Sequence, residues 1–228
     1  MTNNAWNTAF STANGQLLIG DTGNNPVWST LTEGAAVTIT EGAGSIEIDF
    51  ESAGGDCEFI ASATASGSAS ITFTDLSSSY SSYIVEMQGV QPATDGVQLW
   101  LRTSTDNGSN YDDGGSDYIW SMWTVHDGGS DGEGDTSDSK IILLGTPGEE
   151  LGTASGETSS GTLRIFDPSS SNYTRFCFNG SFTEDSSYHA SMHEAGMRLS
   201  TTAVDAIEFS MSAGNIATGN FKLYGFKA

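Results

Sequence analysis

Histidines, clustered acids and aromatics are the residues of this sequence that could do chemistry. Three histidines occur in 228 residues, and His189 and His193 stand four apart in Tyr188-His189-Ala190-Ser191-Met192-His193-Glu194. On a helix such a pair can share a metal, and on a strand positions four apart share a face, so zinc ligation is geometrically open to it. No third ligand is evident nearby, and exposed histidines on a loop or strand are the plainer expectation. Two segments, Asp106 to Asp117 and Asp127 to Asp138, crowd acids onto a glycine-rich backbone. Closely spaced oxygens suit Ca²⁺, with Asp127, Asp131 and Asp135 as its holders, although Gly108 and Gly129 fall where an EF-hand needs Asp or Asn. The alternative is hydrated turns whose charge keeps sheet edges from pairing.

Catalysis finds little support. A glycosidase needs two carboxylates some 5–10 Å apart, but with 29 acids some pair meets that distance by chance. There is no P-loop and no dinucleotide fingerprint, so we expect no catalytic residue and no cofactor. The aromatics say more. Trp120 and Trp123 have opposite parity on one expected strand, close to Tyr111 and Tyr118. One face must be core, and the other can offer an aromatic to a glycan or protein.

Charge narrows the partners. Seven Lys and Arg face 29 Asp and Glu, a net charge of −22, and the first basic residue is Arg102. Affinity for nucleic acid or anionic lipid comes from neutralising phosphates with Lys and Arg, so neither is an expected partner. The like charge fits solubility at high local concentration. The start, MTNNAWNTAF, has no basic and apolar leader pattern. The longest purely apolar run, Ile141 to Leu144, is too short to cross a bilayer. Cys57 and Cys177 fit no metal or redox spacing and read as free, small apolar fillers.

The elements that must position these groups are strands. Apolar residues alternate in Ile46, Ile48, Phe50; in Val97, Leu99, Leu101; in Tyr118, Trp120, Met122; and in Ile207, Phe209, Met211. Period two puts each set on one face of a strand, and Asp95-Gly96 and Asn107-Gly108 are turn signals between strands. No long stretch carries a helical period. The expected fold is all-β: an antiparallel sandwich over 63–228, preceded by an extended N-terminal arm over 1–62 with short strands. The Ala/Ser/Gly run Ala61 to Ser70 reads as the linker. The arm's Leu17, Leu18, Ile19, Trp28 and Leu31 have no core of their own, because isolated strand pairs are marginal in water. They are expected to make assembly contacts.

Asn14-Gly15-Gln16-Leu17-Leu18-Ile19-Gly20, then Thr30-Leu31-Thr32, Ala36-Val37-Thr38-Ile39-Thr40 and Gly42-Ala43-Gly44-Ser45-Ile46, resembles a segment of tail-fibre and other virion proteins of tailed bacteriophages. There it lies before a C-terminal head domain. The remainder is similar to such a head domain at Ile71-Thr72-Phe73, Pro92-Ala93-Thr94-Asp95-Gly96, Leu101 to Asp106, Gly161-Thr162-Leu163-Arg164-Ile165, Thr202 to Ile207, and Gly214 to Gly225. The resemblance implies a jelly-roll-like sandwich on the surface of a phage particle, as a homotrimer touching other virion proteins such as capsid or tail proteins. With no extended repeat stem, a short tail fibre or a capsid decoration (cement) protein fits 228 residues best. Recognition of a host-surface glycan is the alternative, and polysaccharide depolymerisation comes third.

Overall fold

A computed structural model describes residues 16–20, 26–33, 37–42, 45–50 and 56–227. Every regular element among them is a strand, and every pairing is antiparallel. The chain divides into two units, 1–55 and 56–228.

The first unit holds two separate two-stranded ladders. β1 (Gln16–Ile19) pairs with β2 (Val27–Thr30), Leu18 opposite Trp28. β3 (Val37–Gly42) pairs with β4 (Ser45–Phe50), Ile39 opposite Ile48. Leu17, Ile19, Val27, Trp28 and Ile48 are exposed. Two strands offer a side chain only one neighbour, so these hairpins bury little apolar surface themselves.

The second unit is a two-sheet sandwich. Its strands are β5 (Cys57–Ser68), β6 (Ser70–Phe73), β7 (Ser82–Pro92), β8 (Leu99–Ser104), β9 (Tyr118–His126), β10 (Gly129–Asp138), β11 (Ile141–Leu144), β12 (Ser159–Phe166), β13 (Arg175–Thr183), β14 (His189–Arg198), β15 (Ala206–Met211) and β16 (Ile216–Phe226). The large sheet runs β10-β9-β14-β13-β12-β7-β16-β5, and the small one β11-β8-β15-β6. The chain changes sheet at every connection except β9–β10, β12–β13 and β13–β14.

The expected alternation holds in the sandwich. Leu99 and Leu101, then Tyr118, Trp120 and Met122, then Ile207, Phe209 and Met211 all point into the core. Across the gap, Phe209 of the small sheet meets Phe221 of the large one, ring centroids 5.3 Å apart. Burial on this scale, at ~25 cal/mol per Å² of apolar surface, lets the sandwich stand without staples.

Two strands differ from expectation, and they are the two edges of the large sheet. The run read as a linker lies mostly within β5, paired with β16 from Cys57 opposite Phe226 to Ser68 opposite Ile216. The unit boundary therefore falls before Asp56, not at 62/63. Its small residues have low strand propensity, but an open ladder beside β16 outweighs propensity. The acid-rich segment read as a loop is mostly β10, paired with β9. Gly132 and Gly134 permit this. A Cβ at 132 would lie 2.8 Å from the Trp123 ring, and one at 134 would lie 2.7 Å from the Trp120 carbonyl oxygen. Cys57 and Cys177 are free but exposed, not core fillers. Cys177 faces outward on β13 between the inward Phe176 and Phe178, a matter of strand parity alone.

Candidate functional site

The polar groups converge at one end of the large sheet. β9 ends at His126, the chain turns through Asp127 and Gly128, and β10 returns with Gly129 opposite His126 and Asp131 opposite Thr124. His126 and Asp131 thus meet across a tight hairpin, with His126 Nε2 3.2 Å from Asp131 Oδ2. The same nitrogen lies 3.1 Å from Glu149 Oε1. Glu149 closes the turn between β11 and β12: its N–H donates to the Thr146 carbonyl at 2.9 Å, and Thr146 Oγ1 donates to Glu149 Oε2 at 3.0 Å. That bond turns Oε1 toward the imidazole.

A further carboxylate of the same cleft comes from the β13–β14 connection. The Glu184 N–H donates to the Tyr188 carbonyl at 2.8 Å, which fixes the loop. Ser186 Oγ donates to Glu184 Oε2 at 3.2 Å, while Oε1 is buried with no hydrogen-bond partner. Glu184 is 4% exposed. It lines an open cleft of about 490 Å³ with His126, Asp127, Glu149, Ser186 and Tyr188. Burial pushes the Glu184 carboxyl above the usual range; Glu149 adds repulsion, and Ser186 and His126 oppose the shift. Burial likewise raises Glu133, two residues from Asp131, with Glu149 and Asp131 contributing. The cleft holds more negative charge than His126, the one imidazole lining it, balances.

The residues singled out from sequence are distributed otherwise. Of the expected calcium trio, Asp127 borders the cleft and Asp131 joins His126 and Glu149. Asp135 is opposite Trp120, four residues along β10, and at ~3.3 Å per residue lies too far to share an ion. The same arithmetic removes the zinc pair: His189 and His193 share the exposed face of β14 but stand about 13 Å apart along it. His193 Nδ1 is bonded instead to the Asn179 side chain. In the other acid-rich segment Asp106 is taken up by hydrogen bonds, accepting from the Asn110 backbone and side chain and from Ser104 Oγ.

The four aromatics do not form one surface. Tyr118 and Trp120 are core residues, Tyr118 joined through its hydroxyl to Thr103 and Trp120 through Nε1 to Asp138. They are therefore not available to a ligand. Tyr111 is half-buried in the β8–β9 connection. Trp123 alone of the four stands open, 51% exposed on the outer face beside His193 and Val125. In the first unit, Leu17, Ile19 and Trp28 are exposed and Leu31 is half-buried; the side chain of Leu18 lies outside the described residues.

The sequence did not reveal Glu149 as a partner of His126 or Glu184 as its neighbour in the cleft, since neither sits in a motif with it. One string does match a motif. Gly128-Gly129-Ser130-Asp131-Gly132 has the Gly-x-Ser-x-Gly spacing of a nucleophile elbow. That elbow is a strand-to-helix turn, whereas this string opens a β-hairpin with Ser130 opposite the outward Val125. No family model, curated protein or solved structure matches the chain.

Proposed function

We propose that this chain is a non-enzymatic structural protein of a bacteriophage particle, a homotrimeric surface protein acting as capsid decoration or short tail fibre. The observation that carries the reading is the contrast between the units. The sandwich has a complete core, whereas the hairpins of 1–55 leave Leu17, Ile19, Val27 and Trp28 exposed. Such hairpins gain stability by burying those side chains and adding backbone hydrogen bonds against copies of themselves or another virion protein, and threefold copies multiply weak contacts. The repeated crossing of the chain between two antiparallel sheets supports a jelly-roll-like head. Sedimentation of the full chain and of the chain lacking 1–55 tests this. A trimer that binds particles and a truncated monomer that does not are expected; equal particle binding by both would refute the anchoring role.

A second reading rests on Trp123. A half-exposed indole beside His193 on a flat sheet face is the kind of surface on which a sugar ring stacks. A glycan array separates the two readings: a signal lost in Trp123→Ala favours host-surface recognition, and no signal leaves the assembly role alone.

A further inference from the structure

We infer that the loop end of the large sheet binds a divalent cation of the zinc class, held by His126 Nε2, Asp131 Oδ2 and Glu149 Oε1, with the buried Glu184 of the adjoining cleft turning its Oε1 in as the fourth donor. The first three donor atoms lie within 4.8 Å of one another. A tetrahedral ion with bonds of ~2.0–2.1 Å puts its donors about 3.3 Å apart. The imidazole nitrogen is 3.2 Å and 3.1 Å from the two carboxylate oxygens, so little movement is needed to admit the ion.

Glu184 is the independent observation. A carboxylate oxygen buried without a partner forfeits its hydration for nothing in return, and Glu184 Oε1 is such an atom. No Lys or Arg lines the cleft that Glu184 shares with His126 and Glu149. A bound cation would satisfy the orphaned oxygen and the surplus charge together. The other oxygens of Glu149 and Glu184 are already occupied by Thr146 and Ser186, which leaves one oxygen of each for a ligand.

The donor chemistry selects the ion. Ca²⁺ and Mg²⁺ take oxygen ligands, whereas an imidazole with carboxylates suits zinc and its neighbours. Ligation through Nε2 requires the ring proton on Nδ1. The Gly128 N–H now faces Nδ1 at 3.4 Å, longer than the ordinary 2.7–3.2 Å bond, so giving it up costs little. The ion would tie the β9–β10 hairpin, the β11–β12 turn and the β13–β14 loop together.

The test is calorimetric titration and thermal melting of the chelator-treated full chain with Zn²⁺, Mn²⁺ and Ca²⁺. One Zn²⁺ per chain and a rise in melting temperature are expected, since an ion that binds only the folded state stabilises it by mass action. His126→Gln and Glu184→Gln should each weaken zinc at least tenfold, while the double change His189→Ala with His193→Ala should leave it intact. Loss of binding in that double variant, or unchanged zinc affinity in Glu184→Gln, overturns the assignment, as does stabilisation by Ca²⁺ but not Zn²⁺. If His126→Gln does not fold, Glu184→Gln decides alone, because its amide keeps the bond from Ser186.

Discussion

Arg198 holds Asp112 at two points, Nε to Oδ2 at 2.7 Å and Nη2 to Oδ1 at 3.3 Å, joining the end of β14 to the β8–β9 connection. Arg198 is almost fully buried, and Thr103 Oγ1 also donates to Asp112 Oδ2 at 2.8 Å. Tyr118 completes the group, its hydroxyl accepting from the Thr103 N–H at 2.8 Å and donating to the Asp112 carbonyl at 3.2 Å. A nominal surface loop is therefore pinned to the sandwich.

Removing Asp112 leaves the Arg198 charge buried alone, and removing Arg198 leaves a half-buried Asp112 without its partner. Asp112→Asn or Arg198→Met should each cost about 3 kcal/mol in urea denaturation. Replacing both should cost less than the sum of the single changes. Additive losses would show that the two residues act independently.

Glu194 sets a pH dependence. It points inward on β14 at 4% exposure, and neither carboxylate oxygen has a partner. Burial pushes its carboxyl well above the usual range. The folded chain thus holds this proton more tightly than the unfolded chain. The stability it contributes is full below the unfolded carboxyl value near ~4.3 and is lost as pH rises toward the folded value, by up to about tenfold in the folding constant per pH unit. Glu194→Gln cannot ionise, so its stability minus that of the parent should grow with pH above about 4.3. A difference independent of pH would contradict a protonated Glu194.

Phe178 lies over two facing glycines. A Cβ at Gly161 would come within 2.3 Å of the Phe178 ring, and one at Gly180 within 2.5 Å. The two glycines are opposite one another across β12 and β13. Gly161→Ala or Gly180→Ala should overpack this spot and cost about 1–3 kcal/mol, measured by denaturation. Adding Phe178→Leu should recover part of the loss.

Deleting 1–55 should leave the sandwich intact, because β5 to β16 build its core. The sandwich should keep a single cooperative transition with its denaturation midpoint unchanged from that of the full chain. Loss of the cooperative transition would mean that the sandwich needs residues 1–55 to fold.

The sequence by itself determined the antiparallel all-β class. Period-two alternation in Tyr118-Ile119-Trp120-Ser121-Met122 and in Ile207-Glu208-Phe209-Ser210-Met211 is a local property, and burial of one face follows from it. It also supplied the parity that separates Trp120 from Trp123. It could not say which parity faces the core, because that depends on where the second sheet lies. The edge strands β5 and β10 were illegible for a related reason. Glycine, serine and aspartate carry no strand preference, and only the open ladders of β16 and β9 draw them into the sheet. The cluster at the sheet end was decided entirely by tertiary structure. His126, Glu149 and Glu184 are far apart in sequence; antiparallel pairing of β9 with β14 and of β14 with β13 brings His126 and Glu184 to one end, and the Leu151–Glu184 bridge brings the Glu149 turn beside them.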